Sequence, residues 1–132
     1  SRRKSWRIAQ DLPSSLRYAS QGIFYSFSSQ RNFRIHVCLG SIALLFGIFL
    51  GLDTSNLAIL VVTISAVLVL ELINTSIEAV VDLAIGRRFH PLARIAKDCA
   101  AGAVLVASIG SLLVAIFVLL PPLLIHLGIS FH

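Results

Sequence analysis

Three long apolar runs set the terms for this chain: Ile35 to Leu52, Leu57 to Ile73 and Cys99 to Leu120. A helix needs about 20 residues to cross a bilayer. The first and third runs are nearly unbroken, and the second leads directly into a polar stretch. Hydrophobic residues make up 57% of the 132 and charged residues 13%. A soluble domain is nearer half apolar and a quarter charged. The composition therefore excludes an ordinary soluble domain. It predicts an all-α membrane protein with three transmembrane helices, at about 35–52, 55–84 and 93–120, in a single membrane domain 1–132.

The position of the charge is more informative than its sum of +5. Arg2, Arg3, Lys4, Arg7, Arg17, Arg31 and Arg34 precede the first run; Arg87, Arg88, Arg94 and Lys97 lie between the second and third. No lysine or arginine lies near Asp53 or after Leu120. Basic loops stay on the cytoplasmic side. The N-terminus is thus expected in the cytoplasm and the C-terminus outside. Basic residues that flank membrane spans argue against nucleic acid as a partner. Arg2, Arg3, Lys4 and Arg7 suit contact with anionic lipid, and Trp6 suits an anchor at the membrane surface. Cys38 and Cys99 lack zinc-site spacing and read as small packing residues rather than a disulfide.

Before the first run, Leu16, Ala19, Ile23, Phe24 and Phe27 recur at helical spacing. Pro13 suits a helix start. This predicts an amphipathic surface helix over about 14–30, its apolar face in the lipid interface. Gly86 is a natural stop for the second spanning helix. About thirty residues at 1.5 Å each give roughly 45 Å, against a hydrocarbon core of about 30 Å. That helix must protrude. In the third, Ala103, Ala107, Ser111 and Ala115 are spaced four apart, which lets helices approach closely in lipid. Pro121-Pro122 is expected to end it.

The protruding end reads ELINTSIEAVVDLA, from Glu71 to Ala84. Glu71, Asn74, Glu78 and Asp82 fall within roughly 80° of helical arc. A solvated helix end accounts for Asp82. It does not account for Glu71, set among Leu68, Val69, Leu70, Leu72 and Ile73. An ionisable group at that depth points to function. Carboxylates bind Mg²⁺, usually one or two of them with phosphate oxygens. Basic residues hold phosphates. A carboxylate near a hydroxyl orients it or takes its proton. These are the parts of a phosphoryl-transfer site, and its place at the bilayer surface suggests a lipid acceptor. The chain has neither GxxxxGK[ST] nor GxGxxG, so those nucleotide-binding folds are excluded.

ELINTSIEAVVDLA, followed after a short loop by ARIAKDCAAGAVLV, resembles the signature of the small prokaryotic integral-membrane lipid kinases. These are the diacylglycerol kinase and undecaprenol kinase family. RNFRIH and the helix before it match as well, so the resemblance covers about Ser15 to Ile116. It implies a homotrimeric bundle of three-span protomers in the bacterial inner membrane, with a cytoplasmic active site. ATP with Mg²⁺ would phosphorylate a lipid hydroxyl, that of diacylglycerol or undecaprenol. By the same resemblance Glu71 is the catalytic carboxylate and Glu78 a metal ligand. Asn74 lines the lipid-head site and Asp82 shapes the polar pocket. Lys97 and Asp98 contact nucleotide, with Phe89, His90 and Tyr18 close to it. The wording AAGAVL leans slightly towards the undecaprenol branch.

One departure concerns the metal. Just before RNFRIH the family commonly has a glutamate that joins metal binding, and this chain has Gln30. A neutral amide oxygen is a weaker ligand for a hard cation. Either metal binding leans harder on Glu78, or the coordination differs, or the protein is less active. His36 reads as an interfacial residue. A reading from another class is a small oligomeric transporter or channel subunit. Its acidic residues would lie near the midplane, whereas here they cluster at the predicted cytoplasmic end. A purely structural assembly factor would leave the acidic face and Lys97-Asp98 without a reason.

Overall fold

The computed structural model describes residues 11–129. Trp6 and the basic cluster Arg2, Arg3, Lys4 and Arg7 lie outside them. Among the described residues four helices follow one another: α1 (Leu12–Ser29), α2 (Arg31–Phe49), α3 (Thr54–Ile85) and α4 (Pro91–His126). The last three are long and apolar enough to cross a membrane.

Each break has a local cause. Asp11 caps α1 in extended conformation, and Ser14 Oγ donates to its Oδ2 at 2.9 Å. Gln30 is also extended (φ −110°, ψ 110°) and separates α1 from α2 with a single residue. The last carbonyls of α1 lack helical partners. The Arg34 guanidinium reaches back and donates to Phe27 O at 3.0 Å and Ser28 O at 2.9 Å. Asp53 caps α3 by accepting from Asn56 N at 2.9 Å. Gly86, at φ +62°, closes α3 as its N–H donates to Asp82 O at 2.8 Å. His90 caps α4 through Nδ1, which accepts from Leu92 N at 3.1 Å.

The expected end of the third spanning helix needs correction. α4 passes through Pro121 and Pro122 and stops at His126. Each proline removes a backbone donor, but Leu123 to His126 supply their own. The actual stop is Gly128 at φ +83°, with Leu127 N donating to Leu123 O and Ile129 N to Leu124 O. The added turn sets the His126 ring edge-on to Phe49, centroids 5.5 Å apart, at the far end of α2.

α3 packs along α4 and against α2, and α1 touches α2 and α3. The inside is small. Phe33, Leu60, Val67 and Ala100 are its buried apolar residues, joined by Ser26 and Glu71. Gly40 lets α2 approach α3 closely: a Cβ there would lie 2.6 Å from Ile64 Cγ2. Most large apolar side chains of the spans are exposed on the single chain, as lipid or a neighbouring subunit requires. On α1, Leu12, Leu16, Ile23, Phe24 and Phe27 are exposed too. Cys38 and Cys99 are free and exposed, so neither packs inside the protomer.

Candidate active site

On α3 the buried residues are Leu60, Val67 and Glu71. At 3.6 residues per turn they share one face. The stripe that packs the helix inward thus carries Glu71 inward with it. Glu71 is 5% exposed, the one fully buried charged residue among those described. One turn on, Asn74 Nδ2 donates to Glu78 Oε1 at a long 3.4 Å, both part-buried, while Asn74 Oδ1 is buried without a partner. Thr75 Oγ1 donates to Glu71 O at 3.0 Å and joins the same stripe.

Glu71 has a neighbour that the sequence did not reveal. His36, on α2, places Nδ1 2.9 Å from Glu71 Oε1. The distance is that of an ion pair or a hydrogen bond, but the two atoms are not aligned for one, and each lacks a hydrogen-bond partner. The other ring nitrogen, Nε2, stands 3.4 Å from Ser108 Oγ on α4. His36, read from the sequence as an interfacial residue, is turned inward to Glu71, with its side chain 27% exposed. RNFRIH holds the residue, but its pairing with a residue 35 positions later needed the helix packing. Between α2, α3 and α4 a groove of about 380 Å³ runs along His36, Leu39, Gly40, Ala43, Leu60, Ile64, Val67, Ser108, Ser111, Leu112 and Ala115. Val67 lines it one turn from Glu71.

The C-terminal end of α3, beyond Glu71, forms a second feature. Lys97 Nζ donates to Asp82 Oδ1 at 2.7 Å, across from α4. Asp82, Arg87, Arg88, Phe89, His90, Arg94 and Lys97 line an open cleft of about 650 Å³. Four cations stand around one carboxylate there, so the cleft favours an anion. The structure thus brings Asp82, Phe89, His90 and Lys97 together. It does not bring Asp98, Tyr18 or Gln30 into that cleft. Asp98 pairs with Arg94 on its own helix at 3.4 Å, both side chains exposed. Tyr18 lies on α1 under the Arg17 guanidinium, 5.6 Å from the ring centroid. Gln30 Nε2 donates to Ser29 Oγ at 3.4 Å.

Comparison with known proteins shows the family to which the chain belongs. The model of a family described as prokaryotic diacylglycerol kinase matches residues 17–119. The chain belongs to this family. Within it, a diacylglycerol kinase of Synechocystis sp. is 48% identical over 123 residues, 93% of this chain and 70% of that protein. An undecaprenol kinase of Bacillus subtilis is 38% identical over 106 residues, 80% of this chain and 85% of that one. A diacylglycerol kinase of Escherichia coli K12 is 32% identical over 92 residues, 70% and 75% of the two chains. Family membership makes the chain a membrane lipid kinase that uses ATP, and it leaves the transporter reading without support.

Proposed function

We propose that this kinase transfers the γ-phosphoryl group of ATP to the hydroxyl of a membrane lipid, with Glu71 as the base. One observation carries the assignment: Glu71 is a buried carboxylate on the face that α3 turns into the packing. A charge is held there at a cost, and the cost is reasonable where the group meets a reacting proton. The lipid hydroxyl gives its proton to Glu71, and its oxygen attacks the γ-phosphorus. The bond from that phosphorus to the bridging oxygen breaks, and ADP leaves. The groove beside His36 supports a lipid acceptor, because a chain lying in it would bring its head to Glu71.

Nucleotide is assigned to the cleft around Lys97, with Asp82 shaping it and Phe89 and His90 at its wall. Asp98 and Tyr18 are assigned to nucleotide by the family pattern alone. Oxygen donors suit Mg²⁺. Glu78 fits, since its carboxylate is part-buried and carries only one long contact. Glu78 would hold the ion, with Gln30 as a weaker oxygen ligand, and the ion would neutralise charge on the phosphates. The buried, unpartnered Asn74 Oδ1 leaves an acceptor for the lipid head.

The protomer shelters little of this machinery. Asn74 and Glu78 remain part-exposed at the edge of an apolar span, and lipid is a poor neighbour for either. A homotrimer, the assembly implied by the family pattern, would cover them. We place α1 in the interfacial plane with Leu16, Ile23, Phe24 and Phe27 in lipid. The N-terminus and the cleft then face the cytoplasm of a bacterial inner membrane, and the C-terminus faces outward. The acceptor is diacylglycerol before undecaprenol, after the name of the 48% identical relative. Transfer of labelled γ-phosphate to each lipid, in mixed micelles with Mg²⁺, tests this beside Glu71→Gln. Label in one lipid, lost in the variant, is expected. Label in neither lipid, from well-folded protein, would overturn it.

A further inference from the structure

Glu71 does not stand alone. His36 bridges the three spanning helices: it sits on α2, meets Glu71 on α3 at 2.9 Å and meets Ser108 on α4 at 3.4 Å. The hydrogen bonding of Ser108 orients the ring. A hydroxyl has one hydrogen, and Ser108 Oγ donates it to Val104 O at 2.8 Å. Towards His36, Oγ can then only accept, so Nε2 carries a proton. A neutral ring in that state turns a lone pair at Nδ1 towards Glu71 Oε1. Lone pairs 2.9 Å apart, on buried atoms, repel. A proton between Nδ1 and Oε1 turns this contact into the hydrogen bond that would hold the carboxylate. The contact is out of alignment, but terminal Glu and His torsions are broad, and catalytic hydrogen bonds are often loose before substrate binds.

We propose that His36 is a positioning residue for Glu71: it holds Oε1 so that Oε2 alone meets the acceptor hydroxyl. This rests on the reading of Glu71 as the base. A carboxylate held at one oxygen presents the other in a single direction, and misplacement by about 1 Å can cost a hundredfold in rate. During transfer the shared proton sits on Nδ1. The lipid O–H bond breaks and its proton goes to Oε2. The new O–P bond forms as the bond from the γ-phosphorus to ADP breaks. Ser108 acts one step further out, by fixing the ring.

The test measures kcat and KM for ATP and lipid in mixed micelles for His36→Leu, His36→Asn, Ser108→Ala and Glu71→Gln. Leucine fills the volume without a donor; the asparagine amide puts an N–H near the place of Nδ1. His36→Leu should lower kcat about a hundredfold with KM for ATP unchanged. His36→Asn should recover to within about tenfold of the parent, and Ser108→Ala should fall severalfold. Elution volume and unfolding midpoint, read alongside, should match the parent in all four. Parental kcat in His36→Leu overturns the proposal. So does an equal loss in the leucine and asparagine variants, or a midpoint that drops in both, since histidine would then serve packing alone. Transfer that survives Glu71→Gln removes the base reading itself, and the proposal with it.

Discussion

Lys97 Nζ lies 2.7 Å from Asp82 Oδ1, joining the two ends of helices that the loop at Gly86 separates. The lysine side chain is 41% exposed and the aspartate 60%. Such pairs add little stability, because water screens them. Their position is what matters. Asp82 holds the ammonium at the mouth of the cleft that Arg87, Arg88 and Arg94 also line.

Lys97→Ala should therefore leave the thermal midpoint unchanged and raise KM for ATP. Hydrogen bonds to charged groups suggest a loss of roughly tenfold to a hundredfold. Lys97→Arg should keep part of the affinity, since the charge remains but the geometry differs. Asp82→Asn should raise KM by less than Lys97→Ala. Nucleotide titrations of the three variants check this, and an unchanged KM in Lys97→Ala would remove Lys97 from the nucleotide site.

The metal prediction turns on two positions in opposite directions. Glu78→Gln replaces a charged oxygen ligand with a neutral one, so the Mg²⁺ concentration for half-maximal rate should rise on the order of tenfold. Gln30→Glu makes the reverse exchange and should lower it. Chelation with EDTA should stop transfer in every form, and Mg²⁺ should restore it. Rate-against-Mg²⁺ curves that coincide for parent and both variants would sink the assignment.

Composition and charge position were enough to read three spanning helices. The stripe from Glu71 to Asp82 was legible because helical periodicity is a local property. Gly86 as a stop was legible for the same reason. Pro121-Pro122 misled: proline weakens a helix without always ending it, and the glycine that does end α4 lies six residues on from Pro122. The contacts of His36 were not legible for a different reason. Its partners are 35 and 72 positions away, and nothing in the local pattern distinguishes an imidazole turned outward from one turned inward. Lys97 and Asp82 were each picked out, but their contact belongs to the way α3 and α4 pack.

Packing between α2 and α3 gives a prediction about stability. Gly40 is buried, and an added Cβ would meet Ile64 Cγ2 at 2.6 Å. Isoleucine is stiff at χ1 and cannot easily yield. Gly40→Leu should cost about 1–3 kcal/mol through overpacking. At Gly22, in the middle of α1, a Cβ would meet nothing within 4 Å. Gly22→Ala should be neutral or stabilising by up to about 1 kcal/mol. Unfolding midpoints in detergent compare the two, and equal shifts would contradict the close approach at Gly40.

Arg34 ties α1 to the spans. Its guanidinium is the donor that reaches the carbonyls of Phe27 and Ser28 across the break at Gln30. Without it, both carbonyls turn to water and α1 loses the contact that sets its angle to α2. The direct loss is modest, about 1 kcal/mol for each exposed hydrogen bond. The functional loss should be larger if α1 brings Tyr18 to the nucleotide, because a small rotation at Gln30 moves Tyr18, twelve residues back, by several ångströms. Arg34→Leu is expected to raise KM for ATP severalfold with kcat at saturation little changed. Arg34→Lys, which keeps one donor to a carbonyl, should fall between. A spin label at Tyr18→Cys, in a chain with Cys38→Ala and Cys99→Ala, would report the angle directly. An unaltered spectrum in Arg34→Leu would show that α1 is held by its other contacts with α2 and α3, and not by the arginine.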